Sequence, residues 1–447
     1  MRGGGADARS RALARALVIA APSSGSGKTV VTLSLLRALQ KAGIAVSSAK
    51  IGPDYIDPAF HALASGQPCF NIDPWAMGAA EQDAMLKRAA DAADLVVVEG
   101  VMGLFDGAAG GGGSTADFAA RRDLPVVLVA DAARQGASIA ALVKGFATYR
   151  PDLVLAGVIV NNVASPRHRA ILEAALKTLG VPVFGFLPRD PRFCLPERHL
   201  GLVQAGEIAG IDSFMDEAAA LLSRHLDLAA LTDLARPFRA GAAQAGITPP
   251  GQRIAVARDE AFTFLYPHLL SGWREAGAEI GFFSPLQDEA PPDGAEMIFL
   301  PGGYPELHAG RIAAATRFLE GLRRQAARGI PIHGECGGYM VLGRGLTDGE
   351  GKRHAMAGLL DLETSFAIRR LHLGYRRARA VADSPFAPRG TVLRGHEFHY
   401  AAILHEAGEP LFTLEDATGA SLGRAGLRAG TVSGSFLHAI TVERPAT

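Results

Sequence analysis

The chain has 447 residues, in which 45 Lys and Arg balance 45 Asp and Glu, and 48% of positions are hydrophobic. The length allows roughly three domains of ~150 residues, or two larger α/β ones, and the balanced charge excludes an overall basic field that would gather nucleic acid or anionic lipid. Three scattered cysteines, Cys69, Cys194 and Cys336, form no C-x-x-C pair, which excludes a disulfide framework or zinc knuckle and suits a reducing cytoplasm; no run approaches the ~20 apolar residues of a membrane span.

In the first half, short Val- and Ile-rich runs alternate with Ala/Leu-rich helical stretches, the pattern of a parallel sheet covered on both faces. Predicted strands are Leu17 to Ala21, Ala45 to Ala49, Leu95 to Val98, Val126 to Ala130, Leu155 to Val160 and Val183 to Leu187. The run Ala16 to Ala21 is read as a core strand rather than a signal segment, because it is short and leads directly into Ser23-Ser24-Gly25-Ser26-Gly27-Lys28-Thr29. That stretch supplies backbone N–H groups, small side chains and a lysine at a helix N-terminus, as a phosphate cradle requires. Gly25, Ser26, Gly27, Lys28 and Thr29 are the expected nucleotide contacts, with Thr29 also on Mg²⁺. Pro22 stands where the strict G-x-x-x-x-G-K-[ST] pattern has glycine.

Strand ends of a parallel sheet converge on its ligand. The second predicted strand runs into Lys50-Ile51-Gly52-Pro53-Asp54-Tyr55-Ile56-Asp57, and the third into Glu99-Gly100-Val101-Met102-Gly103-Leu104-Phe105-Asp106. A hard Mg²⁺ ion prefers carboxylates, phosphate and water, so Asp54 and Glu99 are the expected metal ligands. Lys50 is placed as a charge stabiliser for the transferring phosphoryl group. Asp57 and Asp106 equally suit helix caps. Asn161 suits either the adenine edge or a buried hydrogen bond. The tract Gly110 to Gly113 reads as a mobile loop.

A Pro/Gly-rich interval, 236–252, reads as a linker between a domain at 15–235 and a second at 253–447. There, Ile254 to Ala257, Glu279 to Phe283, Met297 to Leu300 and Ile330 to His333 restart the strand pattern, and Leu359 to Leu414 alternates as antiparallel strands do. Gly334-Glu335-Cys336-Gly337-Gly338 follows a strand and precedes a helical run, the context of a nucleophile elbow. A helix N-terminus there is expected to lower the thiol pKa. Gly337 and the turn Pro301-Gly302-Gly303-Tyr304-Pro305-Glu306 offer oxyanion donors, with Gly303 and Gly337 as the candidates. Among the nine histidines of this half, His438 stands out as a late strand end and is the expected base. His396-Glu397-Phe398-His399 has metal-like spacing, yet side chains alternate faces along a strand, which favours a structural or substrate-contacting role.

Together, Ala21 to Thr29, Lys50 to Pro58, Asp73-Pro74-Trp75-Ala76-Met77, Glu99 to Gly107, Pro301 to Glu306 and Gly334 to Gly338 resemble the a,c-diamide synthases of corrin biosynthesis. The resemblance spans about Leu17 to His438. It implies an α/β chain in which an N-terminal P-loop domain of dethiobiotin-synthetase type is joined to a class I glutamine amidotransferase-like α/β domain. It further implies ATP and Mg²⁺, a cobyrinate or hydrogenobyrinate substrate, and glutamine attacked by Cys336 with His438 moving the proton. ATP would make an acyl phosphate of the a and c acetate carboxylates, which ammonia displaces. The family's substrate-positioning residues map onto Asp54, Ile56, Glu99 and Asp106, with Asp57 beside them, so Asp54 and Glu99 serve metal, substrate or both. Most class I amidotransferases carry a glutamate two residues after the histidine; Ile440 stands there, as this branch implies. Cobyric acid synthase and partitioning-type ATPases are the rival readings, and a homodimer is left open.

Overall fold

The computed structural model describes residues 14–91, 93–198, 201–238 and 246–444; the predicted linker therefore falls partly outside the described residues. Seven parallel strands build the first sheet: β1 (Arg15–Ala20), β2 (Val46–Ile51), β3 (Phe70–Ile72), β4 (Leu95–Glu99), β5 (Val126–Asp131), β6 (Leu155–Val163) and β7 (Val183–Pro188). Their order is β3-β2-β4-β1-β5-β6-β7, with Arg236–Pro237 pairing antiparallel to the start of β1. Val126 to Ala130 are all fully buried, because helices cover both faces and each face takes alternate side chains. Strand β3 is absent from the sequence-based prediction; three residues are too few to show a period.

Register decides what meets at the carboxyl edge. Lys50 on β2 pairs with Glu99 on β4, and Ile19 on β1 pairs with the same Glu99. Helix α1 (Lys28–Lys41) leaves β1 through the glycine-rich loop and carries no acidic residue in its first turn, so its positive end is left for an anion. Helix α2 (Asp57–Ser65) starts directly beside it.

The second sheet has ten strands. Five are parallel: β8 (Arg253–Ala257), β9 (Glu279–Phe283), β10 (Met297–Leu300), β11 (Ile332–Glu335) and β16 (Val432–Ser435), in the order β9-β8-β10-β11-β16. The sheet continues antiparallel through β15 (Ser421–Ala429), β14 (Glu409–Asp416), β12 (His372–Ala380), β13 (Val392–His399) and β17 (His438–Val442). The predicted alternation after Leu359 thus corresponds to real antiparallel strands, β12 to β14. Helix α3 (Gly337–Leu342) follows β11 through Cys336.

The two halves share a core. One apolar cluster contains Phe70, Met85 and Phe118 from the first half with Trp273, Phe412 and Ile440 from the second. Polar contacts reinforce the join: Tyr375 donates to Asp73 Oδ2 at 2.9 Å, Thr441 to Glu81 Oε1 at 2.6 Å, and Arg394 to the Trp75 carbonyl at 2.7 Å. The tract Gly110–Gly113, expected as a mobile loop, forms a hydrogen-bonded turn in which Ala108 N–H meets the Gly112 carbonyl at 3.0 Å. A side chain at Gly110 would strike the Ala417 carbonyl of the second half at 2.5 Å.

Candidate active site

At the edge of the first sheet, the loop turns through Gly25 and Gly27 with φ of 79° and 83°. Asn161, at the end of β6, donates to the Ser26 carbonyl at 3.1 Å, and a Cβ on Gly27 would lie 2.2 Å from its Nδ2. Asn161 therefore braces the loop, and only glycine fits beneath it. Ser26 Oγ donates to the Ser23 carbonyl at 3.0 Å. Lys28 Nζ stands 4.0 Å from Glu99 Oε1, and burial together with Lys50 lowers its pKa.

Lys50 and Glu99 are both buried, and Lys50 Nζ donates to Glu99 Oε1 at 2.7 Å and to Asp57 Oδ2 at 2.5 Å. Burial alone would pull Lys50 down, but Asp57 and Glu99 outweigh it and hold the ammonium charged. Burial likewise opposes the charge on Glu99, yet Lys50 and His61 hold its pKa well below the usual carboxylate range. Thr29 Oγ1 lies 2.9 Å from Glu99 Oε1 and 3.3 Å from Asp57 Oδ2. A hydroxyl and two carboxylates within one hydrogen-bonding radius form a hard-oxygen donor set of the kind Mg²⁺ takes.

Asp57 thus stands inside this cluster, whereas Asp54 turns its Oδ1 to the amides of Ile56 and Asp57 at 2.8 and 3.0 Å, opening α2. Burial and the neighbouring Asp57 push Asp54 up to about 6. Ile56 is buried in the apolar layer beneath α1. Asp106 is exposed and accepts from Gly103 N–H at 2.8 Å, closing a turn. His61, not foreseen from the sequence, is fully buried with Nε2 2.7 Å from Glu99 Oε2. Its only sequence signal is a histidine one helical turn beyond the Asp57-Pro58 start of α2.

The second centre lies on β11 and β17. Cys336 has φ 47° and ψ −102°, a strained conformation costing about 1–3 kcal/mol that aims its side chain out of the strand-to-helix turn. A Cβ added to Gly302 would sit 2.4 Å from His438 Cε1 and 3.2 Å from Cys336 Cβ, so this turn is the seat of both side chains. Gly303 N lies 3.1 Å from where a Gly337 Cβ would be, which sets the two oxyanion candidates side by side.

Contrary to the expectation for a helix N-terminus, burial pushes the Cys336 thiol up, and Glu306, Glu397 and Glu335 add to that. A six-residue helix cannot offset complete removal from water. Burial also lowers His438 to about 3. The resting pair is therefore thiol and neutral imidazole, with His438 already in its base form. Ile440 is buried in the core, and its carbonyl meets His268 Nε2 at 2.9 Å. The carboxylate nearest the imidazole is Glu335, whose Oε2 is 3.8 Å from His438 Nδ1. Sequence reasoning passed over it as elbow filler.

His399 Nε2 is 3.0 Å from Glu397 Oε1, and with His372 these side chains bring ligand atoms within 4.8 Å of one another. Arg376 donates to the same Glu397 at 2.6 Å.

Tyr55 connects the centres. Its ring packs 4.4 Å from His438 and 5.2 Å from Phe264, and its hydroxyl lies 3.4 Å from His396 Nδ1. A cavity of about 1070 Å³ runs from Lys28 and Thr29 past Asp54 and Tyr55 to His396 and Phe398, at the upper end of the size of small-molecule sites.

Residues 17–203 match the family described as "CobQ/CobB/MinD/ParA nucleotide binding domain", and residues 253–446 match "CobB/CobQ-like glutamine amidotransferase domain". The chain is 57% identical over 431 residues to "Hydrogenobyrinate a,c-diamide synthase" of Brucella suis, covering 95% of this chain and 98% of that one. Proteins of the same description from Rhizobium meliloti and Mesorhizobium japonicum are 54% and 52% identical, with 95% and 96% of this chain and 98% of each relative covered.

Proposed function

The chain belongs to the hydrogenobyrinate a,c-diamide synthase family, and we propose that it amidates the a and c acetate carboxylates of hydrogenobyrinate with ammonia drawn from glutamine. The observation that carries this reading is a cavity that runs from the phosphate loop to Tyr55, whose ring packs against His438 of the other centre. A nitrogen nucleophile and an activated acid made at separate centres need such a shared space. We divide the chain at 236–252, with nucleotide chemistry before it and glutamine chemistry after.

Cys336 attacks the glutamine amide carbon as its proton passes to His438; the C–N bond breaks, the proton leaves with ammonia, and a thioester remains for water to hydrolyse to glutamate. Gly303 and Gly337 N–H groups face the developing oxyanion. In the other centre the acid oxygen attacks the γ-phosphorus of ATP, ADP departs, and ammonia displaces phosphate from the acyl phosphate. Lys28 and Lys50 neutralise charge on the phosphoryl group, and Gly25, Ser26 and Gly27 cradle it through backbone amides. Asn161 fixes the loop while lying in reach of the base. Thr29, Asp57 and Glu99 would hold Mg²⁺, with Asp54 a further carboxylate nearby; bound there, the ion would screen phosphate charge. Asp54 and Ile56 line the cavity into which the macrocycle would come, and Asp106 adjoins its wall next to Gly107.

Its partners are small molecules: the corrinoid, glutamine and ATP. Among the described residues no helix is long and apolar enough to cross a membrane, and three free cysteines suit a reducing cytoplasm.

The test is purified protein with hydrogenobyrinate, ATP, Mg²⁺ and glutamine. The expected product is the diamide with one ATP consumed per amide. Cys336→Ser should lose glutamine-dependent turnover by at least roughly 100-fold and keep amidation with ammonium salts. Absence of diamide, or unchanged glutamine hydrolysis in that variant, overturns the assignment.

A further inference from the structure

Among the described residues, neither nitrogen of the His438 ring has a hydrogen-bond partner, although the side chain is fully buried. An imidazole that is to take a proton at one nitrogen needs an acceptor at the other, to fix its tautomer and to balance the cation that forms. The position two residues on, Ile440, supplies only an apolar side chain to the core. Glu335 offers what is missing. It is the last residue of β11, opposite Ser435 on β16, and its Oε1 accepts the Ala439 N–H at 3.0 Å. That bond ties the carboxyl to the residue next to His438 and turns Oε2 toward Nδ1, 3.8 Å away.

The geometry points to Glu335 as the positioning residue of His438, a carboxylate delivered from the residue before the nucleophile rather than from beyond the histidine. This rests on the reading of Cys336 and His438 as the glutamine-hydrolysing pair. No bond to substrate is involved: Glu335 accepts a hydrogen bond from Nδ1–H, which directs the basic Nε2 toward the thiol, and then faces the imidazolium once the thiol proton has moved. A shift of about an ångström closes the gap to hydrogen-bond length, an adjustment expected when substrate seats the ring.

The protonation of Glu335 gives a readout that a structural role lacks. Burial raises it to about 8, against the Ala439 N–H. The titratable groups around it are Cys336 on its own turn, Tyr55 from the first half and His438 on β17. Glu306, Glu397, His396 and His399 stand farther out, against Cys336 and His438. As pH rises through about 8 the carboxylate forms and can stabilise the imidazolium, so glutamine-dependent kcat/KM should climb there.

The experiment uses full-length Glu335→Gln and Glu335→Ala beside Cys336→Ser and His438→Ala. Glutamine hydrolysis is followed from pH 6 to 9.5, and ammonium-dependent amidation is run on the same preparations. For both Glu335 variants the glutamine-dependent kcat should fall at least roughly 10-fold with KM little changed. The limb near pH 8 should vanish while ammonium-dependent amidation stays within about twofold. Hydrolysis within about twofold of the parent with the limb intact, or parallel loss of both activities, overturns the role of Glu335. If Cys336→Ser or His438→Ala still hydrolyses glutamine, the underlying reading fails instead, whatever Glu335 does.

Discussion

Lys50 shows how much one side chain carries. It is almost fully enclosed between Asp57 and Glu99, and removing one partner from a buried charge group typically costs about 3–5 kcal/mol. Lys50→Met should lower thermal stability and cut ammonium-dependent amidation by roughly 100-fold. Glutamine hydrolysis, measured on the same sample at a permissive temperature, should persist. His333 makes a different prediction. Buried on β11 with Nδ1 2.8 Å from Ser433 Oγ, it is lowered by burial to about 3. The unfolded chain therefore binds a proton below the ordinary histidine value near 6.5 that the folded chain refuses. Its contribution to stability is complete above that pH and is lost as pH falls toward 3. His333→Asn should show a smaller drop in Tm between pH 7.5 and 5 than the parent, by scanning calorimetry.

Strand ends and tight turns govern the next scale up. Gly302 closes the turn after β10 against the His438 ring, and a methyl group there would overlap Cε1 at 2.4 Å. Gly302→Ala should therefore suppress glutamine-dependent amidation by at least roughly 10-fold while ammonium-dependent amidation continues, measured side by side. The meeting of Lys50 with Glu99 was legible in the sequence because parallel strands present their carboxyl ends on one edge, and apolar runs mark those ends. The exchange of place between Asp54 and Asp57 was not. Three residues of irregular backbone have no period, and which carboxylate turns to the amides of Ile56 and Asp57 and which to Lys50 is decided by local hydrogen bonds. Glu335 escaped for a related reason: its partner Ala439 comes from a strand about a hundred residues later, brought alongside only by β16 and β17.

For the molecule as a whole, Tyr55 joins the halves, since it lines the cavity and packs against the His438 ring. Tyr55→Ala should loosen coupling, so that glutamate forms in several-fold excess over amide; equal yields of the two would count against the contact's role. The two-part α/β plan was readable from the restart of apolar runs near Arg253. How closely the parts pack was not, because the Trp75–Tyr375 stack and the Asp73–Tyr375 bond join positions some 300 residues apart. The shared apolar cluster has a further consequence. A polypeptide severed after Phe238 would give two fragments, each baring oily surface meant for the other, so either alone should aggregate, whereas co-expression should yield a stoichiometric heterodimer. One gene for this enzyme could thus be divided into two without redesign of the join.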